Sequence, residues 1–202
     1  MKLAKLAMIS ILVNGAVFAA VTKGNAVSQS SQAVKYQQAC AAGDVDACTN
    51  LGVLYENGQR IKQDEFKAAE LFQRSCTAGD GKGCSNLGAI YDNSKGVKLD
   101  DIKLVDLYAK ACDEGDAFGC FDLGVAYANG QGVLQNKTEA LKYLGKACDG
   151  GDALGCYNLG VAYVTGQSVP QNKSAALEYL GKACNLKYRL GCDAYAKINL
   201  GK

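Results

Sequence analysis

The sequence predicts an all-α fold: a right-handed α/α superhelical solenoid of 36-residue helical hairpins, each stapled by a disulfide. Three observations carry this expectation. A pair of cysteines eight positions apart recurs five times, at 40 and 48, 76 and 84, 112 and 120, 148 and 156, and 184 and 192, always one period of 36 apart. Other columns keep the same step: Leu51, Leu87, Leu123 and Leu159; Gly52, Gly88, Gly124 and Gly160; Tyr55, Tyr91, Tyr127 and Tyr163. Within each unit, apolar residues fall at helical spacing in two segments separated by glycines. Self-similarity at such a period marks stacked repeats, whose units bury their apolar faces only against neighbours.

The chain begins with a targeting pattern. Lys2 and Lys5 precede a short apolar run from Leu6 to Ala20. Val17 and Ala19 suit the small-residue positions before a cleavage site, so residues 1–19 are expected to be a signal peptide cut after Ala19. The run contains Asn14 and Gly15 and is shorter than the roughly 20 apolar residues of a membrane span. No cysteine stands at the cut, so no lipid anchor is suggested. Residues 20–27 are expected to be a flexible N-terminus, and residues 28–202 the repeat array, with half-repeats at both ends.

Each full unit reads as helix A, a glycine break and helix B. In the third, "DAFGCFDLGVAYANG" sets Cys120, Leu123, Gly124 and Tyr127 on one face of helix A. "GQGVLQ" interrupts the pattern, and "NKTEALKYLGKACDGGD" sets Ala140, Leu141, Leu144, Ala147 and Cys148 on one face of helix B. Asp64, Asp100, Asn136 and Asn172 stand where helix B begins, and their side chains suit the exposed first-turn amides. The same role explains "NKT" and "NKS" at Asn136 and Asn172 better than glycosylation does. Arg74, Lys110, Lys146 and Lys182 lie in the last turn of helix B, complementing its dipole. Gly79, Gly115 and Gly151 follow as left-handed stops, and Asp80, Asp116 and Asp152 cap the next helix A. Run backward, the frame places Ser28, Ala33, Tyr36 and Ala39 in a lone helix B; run forward, it leaves a lone helix A near Leu190. Four complete A–B pairs lie between. The last junction reads "NLKYR" in place of a "GD" pair, so it lacks both glycine and cap.

The cysteines sit where one helix B ends and the next helix A starts, with seven residues between them. That tight reversal pairs Cys40 with Cys48, Cys76 with Cys84, Cys112 with Cys120, Cys148 with Cys156, and Cys184 with Cys192. Zinc sites favour two to four intervening residues and redox pairs two, so neither fits. Each nine-residue ring removes roughly 2.5 kcal/mol of chain entropy from the unfolded state in the loop-closure model. An even number of cysteines, ten in all, agrees with an oxidising compartment, so a secreted or periplasmic location is expected.

Net charge is only +2, which implies no nucleic-acid partner, and no stable membrane insertion is expected after signal cleavage. There is no histidine, which removes Ser-His-Asp and Cys-His chemistry and histidine-ligated metal sites. No serine has a lysine three positions on, so the serine beta-lactamase signature is missing. No metal or cofactor is expected.

With these residues in view, "LGVAYANGQGVLQNKTEALKYLGKAC" resembles the Sel-one-like repeat, a relative of the tetratricopeptide repeat, and the recurring cysteine pair resembles the secreted Hcp-type cysteine-rich proteins of bacteria. The resemblance covers nearly all of residues 28–202. It implies a scaffold that binds peptides, proteins or cell-wall fragments on its concave face, with slow hydrolysis of penicillin-type beta-lactams as the alternative. A monomer is expected. In tetratricopeptide relatives helix A lines the groove, and an Asn there can hold a peptide backbone. The matching positions here are Asn50, Asn86, Asp122 and Asn158, with Val53, Ala89, Val125 and Val161 and then Asn57, Asn93 and Asn129 on the same stripe. An amide both donates and accepts, which suits an extended peptide. Equally, these amides could bond a neighbouring backbone and set the stacking angle. Phe118, Phe121, Leu154 and Tyr157 either pack between helices or extend an apolar surface.

Overall fold

The computed structural model describes residues 31–59, 61–93 and 101–200. The expected signal peptide, the expected flexible N-terminus, Ser28 and Asp100 lie outside the described residues. Within them the chain forms ten helices. A lone helix B, α1 (Ser31–Ala41), is followed by four A–B pairs: α2 (Val45–Asn57) with α3 (Glu65–Thr77), α4 (Gly81–Asn93) with α5 (Asp101–Asp113), α6 (Ala117–Asn129) with α7 (Lys137–Asp149), and α8 (Ala153–Thr165) with α9 (Lys173–Asn185). A lone helix A, α10 (Arg189–Asn199), closes the array. Each helix packs chiefly on its sequence neighbours, with weaker contacts to the next helix of its own type, as in a solenoid.

The helix boundaries follow from local chemistry. Asp44, Asp80, Asp116 and Asp152 accept hydrogen bonds from the amides of Ala47, Gly83, Gly119 and Gly155. Asp64, Asn136 and Asn172 do the same for Lys67, Glu139 and Ala175 at 3.0–3.1 Å. Gly79, Gly115 and Gly151 take φ of 89, 85 and 91°, the left-handed turn that lets helix B reverse into helix A. At the last junction Lys187 is forced to φ 68°, and Tyr188 stands at the cap position with no side-chain hydrogen bond.

The repeat columns interlock as large against small. A Cβ added at Gly52 would lie 2.5 Å from the ring of Phe72, at Gly88 2.7 Å from Tyr108, at Gly124 3.0 Å from Leu144, and at Gly160 2.6 Å from Leu180. The glycine column of helix A is therefore the socket for one large side chain of the following helix B. Phe72 and Leu180 are wholly buried there, and burying such a side chain contributes about 1.5–3 kcal/mol. At the other end of each hairpin, Gly83, Gly119, Gly155 and Gly191 lie against Ser75, Ala111, Ala147 and Ala183, which are all 0% exposed.

This close approach brings the cysteines together. All ten form disulfides between neighbours eight apart, with Cα–Cα distances of 4.4–4.7 Å. Five disulfides belong to a non-reducing environment, extracellular or periplasmic. Among the described residues no helix is long and apolar enough to cross a membrane.

Polar contacts also join one repeat to the next. The Arg74 guanidinium donates to the Cys40 carbonyl at 2.8 Å and the Lys110 ammonium to the Cys76 carbonyl at 2.6 Å. These cations satisfy the open carbonyl end of the preceding helix B as well as lying at the end of their own. The Thr49 hydroxyl donates to the cap carboxylate Asp80 of the following helix A. Tyr127 stacks on Tyr143 at 5.5 Å and Tyr163 on Tyr179 at 5.8 Å, the same aromatic pair in successive hairpins.

Candidate functional site

Helix A has one face bonded into the core through its Leu and Gly columns. The stripe opposite its cystine end is set by residues at i, i+4, i+7 and i+11, which share one side of a helix. On α6 these are Phe118, Asp122, Val125 and Asn129; on α8 they are Leu154, Asn158, Val161 and Thr165. Successive helices A thus present parallel rungs, and helix B forms the floor between two of them.

One stretch of this floor lies between α6 and α8. A recess of about 350 Å³ opens there, within the size range of small-ligand and side-chain pockets. Val125 and Asn129 line it from α6, Asn158 and Val161 from α8, and Leu141 and Leu144 from α7. The structure thus gathers four residues of the predicted stripe around one cavity. Lys137 at the start of α7 and the turn residues Gln167 and Ser168 close one end. Ser168 takes φ 73° where the preceding unit has Gly132 at 66°, so the turn geometry is kept by a residue ill suited to it.

Asn50 is exposed and Asn86, Asp122 and Asn158 are half-buried, and none of the four makes a hydrogen bond or ion pair with another described residue. They do not bond neighbouring backbone. Val53, Val125 and Val161 are half-buried beside them. Asn57 turns back on its own helix and donates to the Val53 carbonyl at 3.1 Å. The Asn93 side chain lies outside the described part of the structure.

A second, smaller recess of about 60 Å³ adjoins the first, and Val125 belongs to both. Asp92 of α4 and Asp122 of α6 line it, with Leu104, Val105 and Tyr108 of α5. Burial pushes the Asp122 carboxyl up to about 6, and the negative charges of Asp92, Asp152 and Asp116 act in the same direction. Asp152 is itself raised by burial, against the hydrogen bond from the Gly155 amide.

The four aromatic and aliphatic residues near the helix A starts divide. Phe121 and Tyr157 are half-buried against neighbouring helices, Tyr157 meeting Tyr188 edge-on at 5.2 Å. Phe118 and Leu154 stand 65% and 38% exposed at the rim of the stripe, and Leu190 continues the column at 47%.

Sequence reasoning missed two sets of contacts. Gln63 and Gln135 in the A–B turns donate to the carbonyls of Glu56 and Ala128 at 2.8 Å, closing the end of helix A. Their spacing of 72 residues, two periods, was the signal that could have found them. The cation-to-carbonyl bonds between repeats were hidden, because a lysine near a helix end reads first as a partner of its own dipole. Among the described residues no group of three or more Cys, Asp and Glu is arranged to hold a metal ion.

The Sel1 repeat family model matches four consecutive units, residues 45–80, 81–116, 117–152 and 153–188. The chain belongs to the Sel1 repeat family. Among solved structures, a Sel1 repeat protein from Oxalobacter formigenes superposes with a TM-score of 0.69 at 26% identity, over 74% of this chain and 61% of its own. The protective antigen c5321 of uropathogenic Escherichia coli, described as having an SLR fold, gives 0.72 at 24% identity, over 91% of this chain and 43% of its own, a likeness of fold alone. Helicobacter pylori cysteine rich protein B is 30% identical with a TM-score of 0.53, over 66% of this chain and 96% of its own. The chain therefore spans less than two thirds of the first two of these structures and nearly the whole of the cysteine-rich protein. No curated protein matches it.

Proposed function

We propose that this Sel1 repeat protein is an exported scaffold that holds an extended segment of a peptide or protein along the rungs of its helix A groove. Its anchoring point is the recess between α6 and α8. The observation that carries this reading is the half-buried Asn158 amide, unbonded to any described residue, in a 350 Å³ recess lined also by Val125, Leu141, Leu144 and Val161. Such an amide, with no partner in the protein, can donate to and accept from an incoming backbone. An extended peptide supplies both a carbonyl and an amide for it. Five cystines keep the groove in shape before the partner arrives, so little ordering cost falls on binding. The sequence pattern of residues 1–19 supports export.

The test is capture from cell-envelope material by the oxidised protein, with Val161→Glu as the comparison. Val161 lines the recess and is half-buried, so a carboxylate there blocks the apolar seat without entering the core. Specific capture of a protein, or of a peptide-bearing wall fragment, that is lost in the variant supports the reading. The same capture by both proteins at equal affinity overturns it. Mass measurement of the exported chain is expected to find Ala20 at its N-terminus.

A further inference from the structure

The two recesses share Val125, and their charges differ. The larger has Val125, Leu141, Leu144 and Val161 in its lining together with amides and one cation, Lys137. The smaller carries Asp92 and Asp122 among Leu104, Val105 and Tyr108. Asp122 and Asn129 are seven residues apart on α6, so the acidic recess and the Asn129 end of the groove lie about 10 Å apart along the helix. Asp122 occupies the column held by Asn50, Asn86 and Asn158, so one rung in the ladder carries a negative charge where the others carry an amide. Neither Asp122 nor Lys137 has an ion-pair partner among the described residues. The groove is thus polarised along its length, admitting a cation at one end and repelling it at the other.

Resting on the groove reading above, we propose that the bound segment carries an aliphatic side chain two residues from a lysine, the spacing that puts both on one side of an extended chain: the aliphatic group fills the larger recess and the ammonium enters the smaller one beside Asp92 and Asp122. A recess of 60 Å³ has room for an ammonium but not for a second bulky apolar group. An aspartate whose neighbours are carboxylates gains more from an incoming cation than a solvated one does, because the cation relieves their mutual repulsion. Asp122 is then the residue that sets which segment binds.

The experiment uses the full oxidised protein and three fluorescein-labelled, end-capped heptapeptides of serine. Each carries leucine at position 3 and, at position 5, lysine, norleucine or glutamate; affinity is read by anisotropy at pH 7.5. A free amino terminus on a fourth peptide lacking lysine tests whether any ammonium suffices. The expected result is that the lysine peptide binds at least tenfold more tightly than the norleucine one, that glutamate binds weakest, and that the preference collapses to about one in Asp122→Asn and shrinks in 0.5 M salt. Asp92→Asn, at the edge of the same recess, is expected to reduce the preference in part. Equal binding of lysine and norleucine peptides overturns the inference while leaving the groove reading intact. Binding by none of the peptides counts against both. A lysine preference that survives Asp122→Asn in a protein with unchanged circular dichroism also overturns it.

Discussion

Two glycines in the interior of neighbouring helices give opposite answers to the same substitution, and the difference tests the large-against-small packing of the hairpins. Gly145 in α7 has no atom within 4 Å of where a Cβ would stand. Replacing it by alanine removes backbone freedom from the unfolded chain and improves helix propensity by about 1 kcal/mol, with nothing to offset the gain. Gly155, in the first turn of α8, is different. A Cβ there would lie 2.9 Å from the Ala147 Cβ, 3.0 Å from the Leu144 carbonyl oxygen and 3.1 Å from the Cys148 amide nitrogen. Two of these three are backbone atoms, and the Cys148–Cys156 disulfide, with Cα atoms 4.5 Å apart, prevents the helices from separating. Overpacking of this kind costs about 1–3 kcal/mol, and the first helical turn recovers little propensity. Gly155→Ala is therefore expected to destabilise by about 2 kcal/mol while Gly145→Ala stabilises by about 1. For a chain of this size the midpoints should separate by roughly 6–12 °C. Guanidinium and thermal unfolding of the oxidised variants, followed by circular dichroism, read this directly. If both substitutions stabilise, or if Gly155→Ala is neutral, the hairpin junction is not closed by that glycine and the packing account fails.

Three further outcomes are expected. Asp122→Asn should stabilise the protein above pH 6 and leave it unchanged below pH 4. The folded carboxyl titrates near 6 against an ordinary 3.8, so the unfolded chain gives up its proton first and wild-type stability falls as pH rises between those values. Full linkage over that interval is about 3 kcal/mol, reduced to about 1–2 by solvent reaching the half-buried group, and a flat difference between pH 4 and 8 in urea titrations would refute it. Cys112→Ser with Cys120→Ser should lower unfolding free energy by about 2.5 kcal/mol from loop entropy alone; an unchanged denaturant midpoint would show that the staple adds nothing to a hairpin already held by packing. Lys187→Gly should raise stability by about 1 kcal/mol, since a glycine relieves the left-handed backbone at φ 68°, and a lower melting temperature would mean the lysine side chain holds that junction by other contacts.

Much of this architecture is legible in the linear chain because its causes are local and recur. The caps at Asp64, Asp116, Asn136, Asp152 and Asn172, the left-handed glycines at 79, 115 and 151, and the missing cap at Tyr188 are each decided within one helical turn. The cystine pairing follows from the same short reversals. Periodicity then carried these local readings across the array, so each helix could be placed from its neighbours. The candidate stripe was also visible as a column, since i, i+4 and i+7 positions of helix A need no tertiary information to share a side.

What lay beyond reach depends on which surfaces meet. That Phe121 and Tyr157 are covered while Phe118 and Leu154 remain open is decided by where the adjacent hairpin docks, not by residue type. That Arg74 and Lys110 bond a carbonyl 34 residues away requires the rise from one repeat to the next. The recess between α6 and α8, and the elevation of the Asp122 carboxyl toward 6, exist only once α4, α5 and α7 exclude water around them. Sequence by itself determined the repeating unit, its helix ends and its staples, because these are short-range events of backbone and sulfur geometry. Tertiary structure alone decided the cavity and its electrostatics, because volume and dielectric belong to the space between helices rather than to any one of them.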